Sequence, residues 1–126
     1  MYNNRRVRTL EVTIQRYLFK TKRRPRLDPL LLALLQEIDE FNDILGARCP
    51  VCGRRFKSRK YLALHFRRSG RCRVLFCGLL RYVVEAYWRV RKVTRRDNGR
   101  YYVRGYNYYF TDPAEALRAA KAVLRI

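Results

Sequence analysis

The sequence predicts an α+β fold in a small single domain, on three observations. Asp97-Asn98-Gly99 is a strong hairpin turn between two runs rich in strand formers, about 86–96 and 100–110, since Asn-Gly tolerates the positive φ of a type I′ loop. Asp28-Pro29 and Asp112-Pro113 each open an amphipathic stretch, with an acid at the N-cap and proline at the first helical position. Between them, residues 49–72 hold three of the four cysteines and the single histidine. A chain of 126 residues with 48% hydrophobic content can build one core. Its expected segments are 1–46, 47–77 and 78–126.

In chain order, residues 1–8 read as a basic arm carrying Arg5, Arg6 and Arg8, which either lies on phosphates or frays. From Thr9 the alternation of Leu10, Val12 and Ile14 with polar residues predicts a half-buried strand, extending towards Phe19. Residues 20–26 form a basic connector broken by Pro25. A helix is expected over 29–45 with a stop at Gly46. Its stripe of Leu31, Leu34, Leu35, Ile38, Phe41 and Leu45 suits a core, or alternatively a homodimer seam. With four acids (Glu37, Asp39, Glu40, Asp43) and no base, it should face away from any polyanion.

Residues 73–85 show helical spacing at Phe76, Leu79, Leu80, Val83 and Val84, and a strand is expected from 86 onward. A two-residue Asn98-Gly99 loop makes partners across the ribbon sum to 197. One face then carries Arg89, Arg91 and Arg95 opposite Tyr108, Tyr106 and Tyr102, with Arg104 opposite Val93. The other carries Trp88 and Val90 towards a last helix, about 113–125, whose buried face is Ala116, Leu117, Ala120, Val123 and Leu124. Glu115 stands at its capping-box position.

The spacing C-x2-C-x12-H-x6-C over Cys49, Cys52, His65 and Cys72 suits one structural Zn2+ bound by thiolates and an imidazole. Cys77 is the competing fourth ligand, otherwise expected as a buried apolar cysteine. Phe56 and Leu62 supply the aromatic-aliphatic contact that so small a unit needs alongside its metal.

With those residues in place, the segment resembles the large ββα zinc-finger family as a CCHC variant with a long last spacer. Ala47 departs from the family, which usually has an aromatic there. The resemblance implies a helix that enters the DNA major groove and reads bases from Ser58, Tyr61 and Leu64, with Lys60 beside them. None of the three offers the bidentate chemistry of Arg, Asn or Gln. The cations around them (Arg54, Arg55, Lys57, Arg59, Lys60, Arg67, Arg68, Arg71 and Arg73) fit phosphate contact better.

Charge sets the partner class. There are 30 Lys+Arg against 10 Asp+Glu, a formal net charge of +20, and arginine supplies 24 of the 30. Such a balance points to a polyanion, foremost nucleic acid and DNA before RNA. The Arg-Tyr ribbon face adds a platform for phosphates and stacked bases. Neither a small-molecule substrate nor a membrane is expected: no apolar segment approaches a membrane span. No catalytic constellation is evident, because the one histidine is assigned to zinc and no carboxylate pair or phosphate-cradling glycine loop appears. The N-terminus lacks a secretory leader, and metal-type cysteine usage suggests a reducing, intracellular setting.

As a whole the chain is similar to small, arginine-rich zinc-finger proteins of viruses of hyperthermophilic archaea. That implies a host-cytoplasm or virion setting. The expected role is zinc-stabilised nucleic-acid binding, with transcriptional regulation as its use. A protein-interaction or genome-packaging module is the alternative.

Overall fold

One helix of 24 residues, Gly70–Val93, runs through the domain and packs against most of the other elements. The computed structural model describes residues 4–20 and 22–126, and side chains from Arg8 onward apart from Thr21. Its helices are α1 (Asn4–Phe19), α2 (Pro29–Gln36), α3 (Asp39–Leu45), α4 (Arg59–Arg68), α5 (Gly70–Val93) and α6 (Pro113–Leu124). Strands β1 (Thr94–Asp97) and β2 (Arg100–Val103) form an antiparallel hairpin between α5 and α6. The fold is therefore α+β, with helices dominating. Among the described residues no helix is long and apolar enough to cross a membrane.

Two segments expected as strand are helix, for one reason. Leu10, Ile14 and Leu18 lie four apart, and Ile14 and Leu18 are fully buried, so the 3.6-residue period meets the core as well as the alternating one did. Val12, on the expected strand's apolar side, is exposed. Leu10 and Tyr17 pack against the core as well. Likewise Phe76, Leu80, Val83, Val84, Tyr87, Val90 and Val93 make an unbroken buried stripe along α5, which carries it through residues 86–93. Burial of such a stripe outweighs the strand preference of Val, Tyr and Trp, a scale that spans only about 1 kcal/mol. Of the expected arm, residues 1–3 and the side chains of Arg5 and Arg6 lie outside the described part, while Arg8 is an exposed residue of α1.

The expected helix over 29–45 is two helices. Ile38 adopts an extended conformation (φ −100, ψ 112) as the N-cap of α3, and Asn42 Nδ2 donates to the Gln36 carbonyl at 3.1 Å. The break serves two packing directions. Leu30, Leu31, Leu34 and Leu35 of α2 are buried, with α2 against α5 and α6, whereas Phe41 and Ile44 are buried where α3 meets α1 and α4. Asp39 and Glu40 then occupy the first turn of α3, where the positive end of the helix dipole favours acids. Gly46 caps α3 as expected.

The hairpin register matches the sum of 197: Thr94 pairs with Val103, Arg95 with Tyr102, Arg96 with Tyr101 and Asp97 with Arg100. Asn98 (φ 51) and Gly99 (φ 76) both adopt the positive φ of the type I′ turn. Asp112 caps α6, accepting from the Ala114 N–H at 3.2 Å, and Ala116, Leu117 and Ala120 are fully buried.

Asp28 fastens α2 to the C-terminal half of α5. Its Oδ1 accepts from the Leu30 N–H at 3.0 Å, capping α2. Its Oδ2 accepts from the Tyr87 hydroxyl and from Arg91 Nη1, the latter at 3.0 Å. Burial, then the Asp28 carboxylate, pushes the Tyr87 hydroxyl up to about 12 from 10. A raised folded-state value means stability is intact below pH 10 and falls as pH rises through 12. Alkaline unfolding of wild type over that window should be reduced in Tyr87→Phe. Asp28→Ala should cost about 2–4 kcal/mol in urea denaturation at pH 7, from the lost cap and the stranded hydroxyl.

Candidate metal centre

The local chain places the four sulfur and nitrogen donors from three directions. Cys49 and Cys52 sit on a tight knuckle: the Cys49 N–H donates to the Arg54 carbonyl and the Gly53 N–H to the Cys49 carbonyl, both at 2.9 Å. Gly53 adopts φ +76, a backbone state that a side chain would strain. A single bridge, Arg48 with Arg55, closes the knuckle base, so two full strands do not precede the helix. His65 comes from α4. Cys72 comes from the first turn of α5, where the Ser69 hydroxyl accepts its backbone N–H at 3.4 Å. Ser69 thus ends α4 and starts α5, with no long loop between.

The ligand atoms of Cys49, Cys52, His65 and Cys72 all lie within 4.8 Å of one another. Metal–sulfur and metal–nitrogen bonds of usual zinc length require an S···N tetrahedral edge of about 3.6 Å. Cys52 Sγ and His65 Nε2 are 3.5 Å apart. The four residues could therefore hold one metal ion.

Their surroundings fit it too. Burial pushes the Cys49 thiol up to about 11, and the Cys52 and Cys72 side chains raise it further, while backbone N–H groups of Cys52 and Val51 act the other way. The Arg54 N–H foremost lowers the Cys52 thiol. A cation among these sulfurs would remove the cost of ionising them. Phe56 packs on the His65 ring at 4.9 Å, and Leu62 is fully buried. Phe66 stacks on Phe76 at 4.5 Å, and Phe19 meets both edge-on. This aromatic cluster joins α1, α4 and α5 beside the centre.

Cys77 is exposed and outside the cluster, which corrects the expectation of a buried cysteine. Five residues beyond Cys72, it lies about 140° around the helix.

The expected contact residues fall into two groups at opposite ends of α5. Arg54, Arg55, Lys57, Lys60, Arg67, Arg68, Arg71 and Arg73 are exposed near the cysteine-histidine cluster, and Arg59 is half-buried. Tyr61 is exposed, with Ser58 and Leu64 half-buried. At the far end, Arg95 covers Tyr102 with 4.7 Å to the ring centroid, as the register requires. The Arg104 N–H donates to the Val93 carbonyl at 2.9 Å, so that expected pair also meets.

The rest of the ribbon face does not form, because residues 86–93 belong to α5. Arg89 projects from that helix, and Arg91 is engaged with Asp28 and Tyr87. Trp88 is likewise a residue of α5 and not of a strand. Tyr106 and Tyr108 cluster with each other and with Phe110, after a turn at Gly105 and before a bridge from Phe110 to Tyr101. Among the described residues five cation–ring pairs were not expected: Arg96 with Tyr101, Arg100 with Tyr109, Arg24 with Tyr17, Arg54 with Phe56 and Arg91 with Tyr87. The first follows from the register.

Cys72→Ser should lose most bound metal and much of its helical circular dichroism, whereas Cys77→Ser should keep wild-type metal content and melting. Metal analysis of the two purified variants checks this, and equal retention by both would remove Cys72 from the site. Comparison with family models, with curated proteins and with solved structures finds no match to this chain.

Proposed function

We propose that the protein is a zinc-stabilised, non-enzymatic module that binds nucleic acid, duplex DNA above all, chiefly through phosphate contacts. The observation that carries this reading is uncompensated positive charge. Against a net charge of +20, the described residues form two ion pairs, Arg91 with Asp28 and Lys121 with Glu37, and no described charged side chain is buried. A folded domain in that condition is stabilised by a polyanion that neutralises many cations at once. Zinc is the ion this reading assigns to three thiolates and one imidazole in a closed tetrahedral site.

Phosphate contact is favoured over base reading by the side chains available. Tyr61, Ser58 and Leu64 make poor bidentate partners, while Lys60, Arg67 and Arg68 stand exposed on the same helix. The second basic group, at the hairpin, is about 30 Å from Cys72 along α5 at 1.5 Å per residue. That approaches one turn of B-DNA, roughly 34 Å, so one duplex could meet both groups.

Affinity for a random-sequence duplex should fall by about 10³-fold or more between 50 and 200 mM salt. The double variant Arg67→Gln/Arg68→Gln should flatten the slope of log affinity against log salt by about 2. Fluorescence anisotropy with labelled duplex measures both. Affinity that hardly changes with salt would overturn the reading.

A further inference from the structure

The exposed face of α5 carries a pattern that neither the core nor the proposed nucleic-acid contacts explain. Val74, Leu75 and Tyr82 are 65%, 52% and 61% exposed. Between them lies Gly78, in mid-helix, where a Cβ would meet nothing within 4 Å. Its φ is an ordinary helical one, so neither backbone conformation nor this chain's own packing calls for glycine. Exposed mid-helix glycine costs about 1 kcal/mol relative to alanine. A close-approaching partner would account for it.

The charges around Gly78 indicate which partner. Glu85 is the sole acid of α5, and among the described residues it makes no ion pair. It stands seven residues after Gly78, and Arg71 stands seven before. At 100° per residue, Arg71, Gly78 and Glu85 lie within about 20° of one line along the helix, with the apolar residues and Arg81 flanking it.

We infer that this face is a self-pairing surface, on which two copies of the chain pack α5 against α5 antiparallel with Gly78 at the twofold axis. In that arrangement residues whose numbers sum to about 156 lie level with each other. Arg71 meets the partner's Glu85, and Glu85 meets the partner's Arg71. Leu75 packs on the partner's Tyr82, and Val74 lies along the stem of the partner's Arg81. An isologous contact requires this self-complementarity. A parallel pairing would set Arg71 against Arg71 and leave Glu85 facing itself.

The seam is one helical face about 21 Å long, below the standard interface of roughly 800 Å² per partner. Two strongly basic bodies also repel at long range. Pairing is therefore weak, and is best measured where screening shortens that repulsion, at about 0.3 M salt or more. The inference is independent of nucleic-acid binding, which salt weakens.

Sedimentation equilibrium of the full metal-loaded chain, from micromolar to near-millimolar concentration, tests it. Wild type should fit a monomer–dimer equilibrium. Arg71→Glu and Glu85→Arg should each weaken association about tenfold or more, because both symmetric pairs become repulsive. The double variant Arg71→Glu/Glu85→Arg should return to within about threefold of wild type, since it restores opposite charges across the seam. Glu85 lies more than three turns from Cys72, so Glu85→Arg reads pairing without touching the cysteine-histidine cluster. Gly78→Ala should raise the melting temperature through helix propensity yet weaken association, a combination that a merely tolerated glycine would not give. A wild-type chain monomeric throughout, a double variant no better than the singles, or a Gly78→Ala chain that pairs as well as wild type would each overturn the inference.

Discussion

Cys72 belongs to two structures at once: it is a donor in the cysteine-histidine cluster and a residue of the first turn of α5. This sharing constrains the rest of the domain. A finger on a flexible tether would contribute only its own fold. Here a metal ion held by the cluster would fix where the longest helix begins and in which direction it leaves the knuckle. The Ser69 cap sets the first turn, and the stacked Phe66 and Phe76 rings continue the attachment one turn further on. An isolated helix is costly to nucleate, so anchoring its first turn through a covalently distant pair of cysteines gives α5 a start that its Val- and Tyr-rich sequence does not itself favour.

Much of the candidate site was legible because it rests on spacing and chemistry confined to a short stretch. Cys49, Cys52, His65, Phe56 and Leu62 are placed by neighbours a few residues away, and Cys72 follows once Ser69-Gly70 ends α4. The Asn98-Gly99 turn and its register were legible for the same reason. What was not legible depends on packing between distant segments. Leu10 and Ile14 satisfy both a strand period and a helix period, and only the buried face shared with α3, α4 and α5 decides between them. Residues 86–93 carry strand-forming side chains, yet their stripe continues that of residues 72–84. Ile38 looked like one more apolar position in a long helix. Its extended backbone is required because Leu34 and Phe41 pack on different neighbours, and acids at 39 and 40 are the one local sign of a second start.

The charge distribution separates two tasks. Among the described residues the core is apolar without buried charge, so its stability rests on burial and on fasteners such as the Asp28 joint and the Lys121–Glu37 pair, to which a metal ion in the cysteine-histidine cluster would add. Apart from Arg91 in the Asp28 joint, the described arginines are left to the surface, where they add little to the fold and raise its self-repulsion. A small domain of this charge has slender margins, and cross-linking by an ion is a direct way to widen them without using surface cations.

The length of α5 has a consequence for how such a chain can diverge. With a metal ion in the cysteine-histidine cluster, Cys72 at one end and Tyr87 with Arg91 at the other would each be tied to partners off the helix, fixing both its rise and its phase. One inserted residue between them would turn the far end by about 100°, swinging Tyr87 away from Asp28 and carrying the hairpin with it. Point substitutions on the open face leave that relation intact. Insertions and deletions should therefore be confined to the connectors, such as residues 20–27 or 104–109, while the span from Cys72 to Tyr87 keeps a constant residue count.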